Sequence, residues 1–166
     1  MPRYPSPPPG TTMLGIDPGR HMGIARVEVG PTITVHGCVT VKSLAEFSKL
    51  FCELGHLCPP AAIEWWEPFV NTPERLRGLP HQAEAAGRAA GFFDACEHPY
   101  ITITRTEILA SLNLPRSSDK RLVRQQVRVL TRGVRPRNDH EADAVAAAIA
   151  GAARWEIRQR EGREAR

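Results

Sequence analysis

Residues 11–41 constrain this chain most: TTMLGIDPG, GIARVEVG and TITVHGCVTV are three β-rich segments that follow one another with only turn residues between them. Pro18-Gly19 separates the first from the second, and Gly30-Pro31 the second from the third. Proline cannot donate to a ladder and glycine accepts turn backbone, so these segments predict a meander of three antiparallel strands. The rest of the chain alternates. Ser43 is placed to cap LAEFSKLFCEL, whose Leu44, Phe47, Leu50, Phe51 and Leu54 keep a helical period up to Gly55. PPAAIEWW predicts a short strand closed by the proline-bearing loop EPFVNTP. Then come a helix from Glu74 to about Cys96, a strand in YITITR, a short helix in TEILASL, a longer helix from Asp119 to about Thr131, and a last helix opening with NDHEADAVAAAIA. The order βββαβαβα implies a mixed α/β sheet covered on both faces.

With 42% hydrophobic and 24% charged residues, residues 12–153 suit one globular domain. Residues 1–11 are proline-rich and expected to be disordered, and residues 154–166 alternate Arg and Glu as a solvated helix end or tail would. No apolar run approaches the roughly 20 residues that span a bilayer, and prolines stand where a signal peptide needs an apolar core. A soluble, cytoplasmic protein is expected. Cys38, Cys52, Cys58 and Cys96 form no CxxC pair, and His56 completes no zinc spacing, so they are expected to be small buried residues.

The formal charge is +4, and of 22 Lys and Arg residues only Lys42, Lys49 and Lys120 are lysines. Guanidinium forks match phosphate oxygens, which favours an anionic polymer as partner, although a compositional bias towards Arg and Ala accounts for the excess equally well.

Four residues stand out chemically. Asp17 ends the first strand, either as a turn-forming residue of D-P-G or as a ligand beside a backbone that Gly23 leaves open. Glu64 interrupts the apolar run AAI-WW in a central strand, where a carboxylate is costly unless paired or metal-bound. Trp65 and Trp66 point to opposite faces of that strand, so at least one should be core. His140 and Asp143 are three apart and share a helix face, with Asp139 four from Asp143. Asn138 and Glu141 have the spacing of a capping box, which explains part of the charge at this helix start. Carboxylates from strands one and four meeting a His/Asp pair would repel unless a cation neutralised them. Oxygen-rich open sites suit Mg²⁺ or Mn²⁺. Two such ions about 4 Å apart can activate a water on one side of a phosphodiester and stabilise the leaving oxygen on the other.

GIDPGxxxxG, AIE, QAEAAGRAAG, SSDKRLVRQQV and HEADAVAAAIA, in this order over roughly residues 13–152, resemble the RuvC family of Holliday-junction resolvases. The resemblance implies an RNase H-like fold: a five-stranded mixed sheet, three antiparallel strands then two parallel, with helices on both faces. It also implies a homodimer that cuts four-way DNA junctions symmetrically with Mg²⁺ or Mn²⁺, two ions per site. Asp17, Glu64, His140 and Asp143 match the family's ligands, which include either Asp or His at the position of His140. Asp139 is then helix-start charge, at the end where acids are favoured. Lys120 matches a basic residue placed near the scissile phosphate, where it would offset transition-state charge. The family stacks an aromatic on bases near the second carboxylate. Glu67 stands where that aromatic is expected, leaving Trp66 or Phe69 as the wedge.

Between Arg116 and Arg137 lie eight cations and one acid, Asp119. Arg121, Arg124, Arg128 and Arg132 share one helix face, and Val123, Val127 and Leu130 the other. This basic stripe is either a solvated face or, with i,i+4 acids missing, a phosphate-contacting surface together with Arg116 and Lys120. Ala83, Gly87, Ala90 and Gly91 make a small-residue face, fit either for dimer contact or for internal packing.

A divalent-metal-dependent endodeoxyribonuclease that resolves four-way junctions is thus the expected function, in the cytoplasm of a bacterium or of a virus-infected cell. A branch-migration helicase is an open partner. The alternative is an RNase H-like nuclease for other branched DNA, flaps, RNA–DNA hybrid or structured RNA, with a catalytically silent junction-binding module less favoured. Sugar-kinase and actin-like proteins share the opening strand, Asp and Gly-rich turn, but need two lobes and more than these residues.

Overall fold

The computed structural model describes residues 10–54, 58–65 and 73–164. Its elements are β1 (Thr11–Asp17), β2 (Met22–Val29), β3 (Ile33–Val41), α1 (Leu44–Leu54), β4 (Ala61–Trp65), α2 (Pro73–Ala95), β5 (Tyr100–Thr104), α3 (Arg105–Ser111), α4 (Lys120–Leu130) and α5 (Asp139–Glu164). The sheet order is β3-β2-β1-β4-β5. The meander pairs antiparallel, and β4 and β5 add parallel to β1, as the alternation of strand and helix predicts. Thr11 already pairs with Val29, so the first strand begins one residue inside the segment expected to be disordered.

Alternation along the strands divides the core in two. Leu14, Ile16, Ile24, Ala61 and Ile63 meet Phe47 of α1 and Ala86, Ala89, Ala90 and Phe93 of α2 on one face. Met13, Ala25, Val27, Ala62, Ile101 and Ile103 meet α3, α4 and the alanines of α5 on the other. Ser43 Oγ accepts from Glu46 N at 3.2 Å, the expected cap of α1.

α5 is the most deeply set helix, buried almost without interruption from Glu141 to Ala153. Alanine alone does not permit this; the sheet must also be thin beneath it. A Cβ on Gly15 would strike the Ala144 carbonyl and the Ala148 amide, and one on Gly23 would strike the His140 carbonyl. These two glycines set the depth of the helix and fix its first turns over the ends of β1 and β2. The helix also runs on to Glu164, through the segment expected as a charged end or tail. Arg154, at that segment's start, is half-buried and donates to the Thr102 carbonyl at 3.1 Å.

Several expectations change. Cys52 and Cys96 are exposed, and Cys38 and Cys58 only half-buried, so none is the fully buried small residue expected; all four are free thiols. Trp65, the last residue of β4, is 38% exposed and not core. Trp66, Glu67 and Phe69 lie outside the described residues. Of the small-residue face of α2, Ala90 is core, but Ala83, Gly87 and Gly91 point outward, and no atom would lie within 4 Å of a Cβ at either glycine. Packing among the described residues therefore does not explain those three. Among the described residues no helix is long and apolar enough to cross a membrane.

Candidate active site

β1 ends at Asp17 because Pro18 brings no N–H to continue the ladder. Asp17 lies two residues beyond Gly15 and so shares the α5 face of the sheet. Glu64 reaches the same face two residues beyond Ala62, and the register that joins Ile16 to Ile63 brings the two carboxylates to neighbouring strand ends. The start of α5 is tied down over them. Asn138 Oδ1 accepts from Glu141 N at 2.9 Å, and Asn138 Nδ2 donates to Thr40 Oγ1 at 2.9 Å, anchoring the cap to β3. Glu141 departs from a capping box in one respect: its carboxylate accepts from Arg137 N at 2.8 Å, one residue before the cap, and from Cys38 Sγ at 3.5 Å. It is 3% exposed and serves structure alone.

His140 and Asp143 then face the strand ends. His140 Nδ1 lies 2.8 Å from Asp17 Oδ2. Asp143, 3% exposed, accepts from Lys120 Nζ at 3.0 Å on Oδ2 and from Arg105 Nη1 at 3.2 Å on Oδ1. Lys120 opens α4, whose N-cap Asp119 accepts from Leu122 N at 2.8 Å. The four expected ligands and the expected lysine are thus brought together from β1, β4, α4 and α5.

The electrostatics are those of crowded negative charge. Burial pushes Glu64 up to about 8, and Asp17 and Asp143 push it further than Arg105 and Lys120 restrain it. Burial also raises Asp17 above the usual carboxylate range, against the lowering His140 hydrogen bond and with the help of Asp143. The hydrogen bond to Asp17 lifts His140 above its ordinary value in spite of burial. Burial pulls Lys120 down, but Asp143, Asp17 and Glu64 together leave it raised.

Asp17 and Glu64, whose ionisation burial and neighbouring carboxylates hinder, stand with Asp143 and an imidazole, a donor set that suits a hard divalent cation. As the side chains stand, Asp143 is committed to two cations and Asp17 to His140. Accordingly, among the described residues no three His, Cys, Asp or Glu groups are drawn together closely enough to ligate one ion.

Arg105 is the site residue that the sequence reading missed, taken there only as the end of a strand. Two signals point to it. It directly follows the strand beside the one that carries Glu64, and the T-x-x-E of Thr104–Glu107 marks a helix start that fixes it in place. Both halves of that capping box are present: Glu107 N donates to Thr104 Oγ1 at 3.3 Å, and Glu107 Oε2 accepts from Thr104 N at 2.7 Å and also from its hydroxyl at 2.9 Å. Glu107 Oε1 is taken by Arg154.

The basic stripe of α4 separates into two kinds of residue. Arg116, Arg121 and Arg128 are exposed, opposite the fully buried Val123 and Val127. Arg124 is not on an open stripe: its guanidinium turns inward to Asp139 Oδ1 at 3.5 Å and to the Pro136 and Arg137 carbonyls at 3.4 and 3.3 Å. Arg124 thus ties α4 to the α4–α5 connection. The same bond accounts for Asp139, which pairs with Arg124 and not with the acidic cluster. A separate cleft of about 420 Å³, lined by Arg20, Lys42, His81, Glu84 and Arg88 among others, lies across the β1–β2 turn and includes none of Asp17, Glu64, His140 and Asp143.

A five-stranded mixed sheet in the order β3-β2-β1-β4-β5, with acids gathered where β1, β4 and the last helix meet, defines an RNase H-like fold. Within that class the fold is that of RuvC. The chain is similar to the RuvC structure from Thermus thermophilus at a TM-score of 0.68 and 21% identity, covering 88% of this chain and 96% of that one. It is similar to T. thermophilus RuvC in complex with Holliday junction substrate at 0.66 and 20% identity, with the same coverage. It also resembles the yeast mitochondrial Holliday junction resolvase Ydc2, at 0.52 and 14% identity, covering 96% of this chain and 84% of that one. No family model matches the sequence, and no curated protein matches it either.

Proposed function

We propose that this protein is a divalent-metal-dependent endonuclease that resolves four-way DNA junctions by paired, symmetric phosphodiester hydrolysis. One observation carries the reading: Asp17, Glu64, His140 and Asp143, from three separate elements, converge with Lys120 at one end of a RuvC fold. The T. thermophilus RuvC of that fold is known in complex with Holliday junction substrate, which favours a four-way junction over other branched DNA as the substrate of this chain.

Asp17, Glu64, His140 and Asp143 would hold two Mg²⁺ or Mn²⁺ ions. When bound, these supply an activated water and neutralise the charge that grows on the phosphate. Lys120, on the rim of the acidic cluster, adds a positive charge towards the phosphate in the transition state. The exposed Arg116, Arg121 and Arg128 meet the backbone of the arms. Symmetric incision needs two such sites at a fixed separation, which a two-fold homodimer supplies. The outward Ala83, Gly87 and Gly91 let a second copy approach closely, and support that assembly. The cytoplasm is the compartment in which such a resolvase would work.

Cleavage of a panel of four-way, three-way, flap, duplex and RNA–DNA hybrid substrates in Mg²⁺ tests the proposal. Paired cuts at symmetric positions of the four-way junction are expected. Equal cutting of flaps or hybrids would support the broader RNase H-like nuclease instead.

A further inference from the structure

Asp143 carries two cations on its two oxygens, and one of them, Arg105, belongs to none of the motifs discussed above. The Arg105 side chain is 29% exposed against 56% for that of Lys120, so it is the more deeply set of the pair. It cannot easily drift away, since its backbone is held at the first residue of α3 by the Thr104–Glu107 capping box. The other acids near it are taken: Glu64, on which the Arg105 charge also acts, would on the metal-dependent reading be held by the ions. Glu107 already accepts two bonds from Thr104 and one from Arg154, and Asp17 is paired with His140.

That arrangement has a consequence for a site that takes divalent ions. Once the Asp143 carboxylate is committed to an ion, Arg105 loses its partner and is repelled by the new charge. A half-buried guanidinium without an anion is costly, so it must find one within reach of a fixed backbone. The anion that enters this site is a phosphodiester, and two parallel N–H groups of Arg match two phosphate oxygens.

We propose that Arg105 is an exchangeable phosphate-binding residue. In the metal-free protein it neutralises Asp143; in the substrate complex it leaves Asp143 and donates to a phosphate oxygen of the DNA beside the cut. The inference rests on the metal-dependent reading above. Lys120 shares the first role, but its compact ammonium offers one point of charge, whereas the Arg105 fork fixes orientation.

The two roles predict effects of opposite sign. Arg105→Gln removes a competitor for Asp143, so the DNA-free protein should bind Mn²⁺ more tightly, by roughly tenfold if one half-buried ion pair is displaced. At saturating Mn²⁺ the same variant should cut a four-way junction more slowly by roughly a hundredfold, the scale of one lost phosphate donor. Arg105→Lys keeps the charge and loses the fork, so it should leave Mn²⁺ affinity near wild type while still cutting slowly. Titration of Mn²⁺ by electron paramagnetic resonance, with melting temperatures to verify folding, gives the first readout without reference to activity. A residue that merely braced Asp143 would show weaker Mn²⁺ binding in Arg105→Gln, and that result overturns the inference, as does unchanged cutting by both variants. Wild-type protein that binds no Mn²⁺ at all overturns the metal-dependent reading itself, and this inference with it.

Discussion

His140 Nδ1 stands 2.8 Å from Asp17 Oδ2, joining the first turn of α5 to the end of β1 across 123 positions of sequence. This hydrogen bond is the largest cause of the raised His140 pKa. Stability from a raised histidine is fully present below the ordinary value and is lost as pH rises through the folded-state value. Metal ligation requires the neutral ring, so metal affinity should climb over the same interval. Asp17→Asn should bring the His140 titration, followed by NMR of the ring carbons in metal-free protein, down towards 6.5. No downward movement would mean that the pair does not control the histidine.

Glu64 gives a second and larger pH effect. Its folded-state value is about 8 against an ordinary 4.5, so the metal-free fold holds a proton that the unfolded chain releases. The stability from this group is complete below the ordinary value and disappears as pH rises through 8. Metal-free protein should therefore melt at progressively lower temperature between pH 6 and 9, to be followed by circular dichroism. Glu64→Gln should flatten that slope and melt higher than wild type at the alkaline end, and on the proposed function it should also lose cutting. A Glu64→Gln protein less stable than wild type at that end would show that the carboxylate is already compensated.

The depth of α5 depends on Gly15. Gly15→Ala sets a methyl against the Ala144 carbonyl and the Ala148 amide, both helix backbone that cannot rotate aside. The helix has to lift, and the cost should be roughly 1–3 kcal/mol of stability, the usual scale of overpacking. Urea denaturation measures it. A Gly87→Ala control, with nothing within 4 Å of the added carbon, should leave the monomer's stability unchanged or slightly raised.

Much of this was legible beforehand. The meander, the alternation that follows it, the acids at 17, 64 and 143 and the histidine at 140 are local or periodic signals, and those survive in a single sequence. Depths and partners are not of that kind. Arg124 was expected to lie outward because its helical phase matches Arg121 and Arg128. Only the course of the chain through Pro136 and Arg137 brings acceptors that draw it inward. Arg105 escaped notice for the converse reason: its significance lies in Asp143, 38 positions away. Cys52 and Cys96 were expected inside from residue type alone, whereas helix phase and loop position put them outside.

The difference between the outward and inward arginines can be measured. Arg121→Ala and Arg128→Ala should each lower junction affinity and reduce the slope of log affinity against log salt by roughly one. Arg124→Ala should instead lower thermal stability, through loss of the tie to Asp139 and the two carbonyls, with a smaller change in salt slope. Filter binding over a salt series, beside melting curves for the three variants, separates the two classes. An Arg124 variant with full stability and the steepest loss of salt dependence would place it on the DNA.

On the proposed function, Asp17, Glu64, His140 and Asp143 form one metal-dependent cutting site for four-way DNA. The most direct measurement compares wild type with Asp17→Asn on a single synthetic four-way junction, scoring binding and mapped incisions with and without Mg²⁺. Wild type should make paired symmetric cuts only with the divalent ion, and Asp17→Asn should bind the junction and leave it whole. Normal cutting by Asp17→Asn, or symmetric cutting by wild type without any divalent ion, would contradict the account.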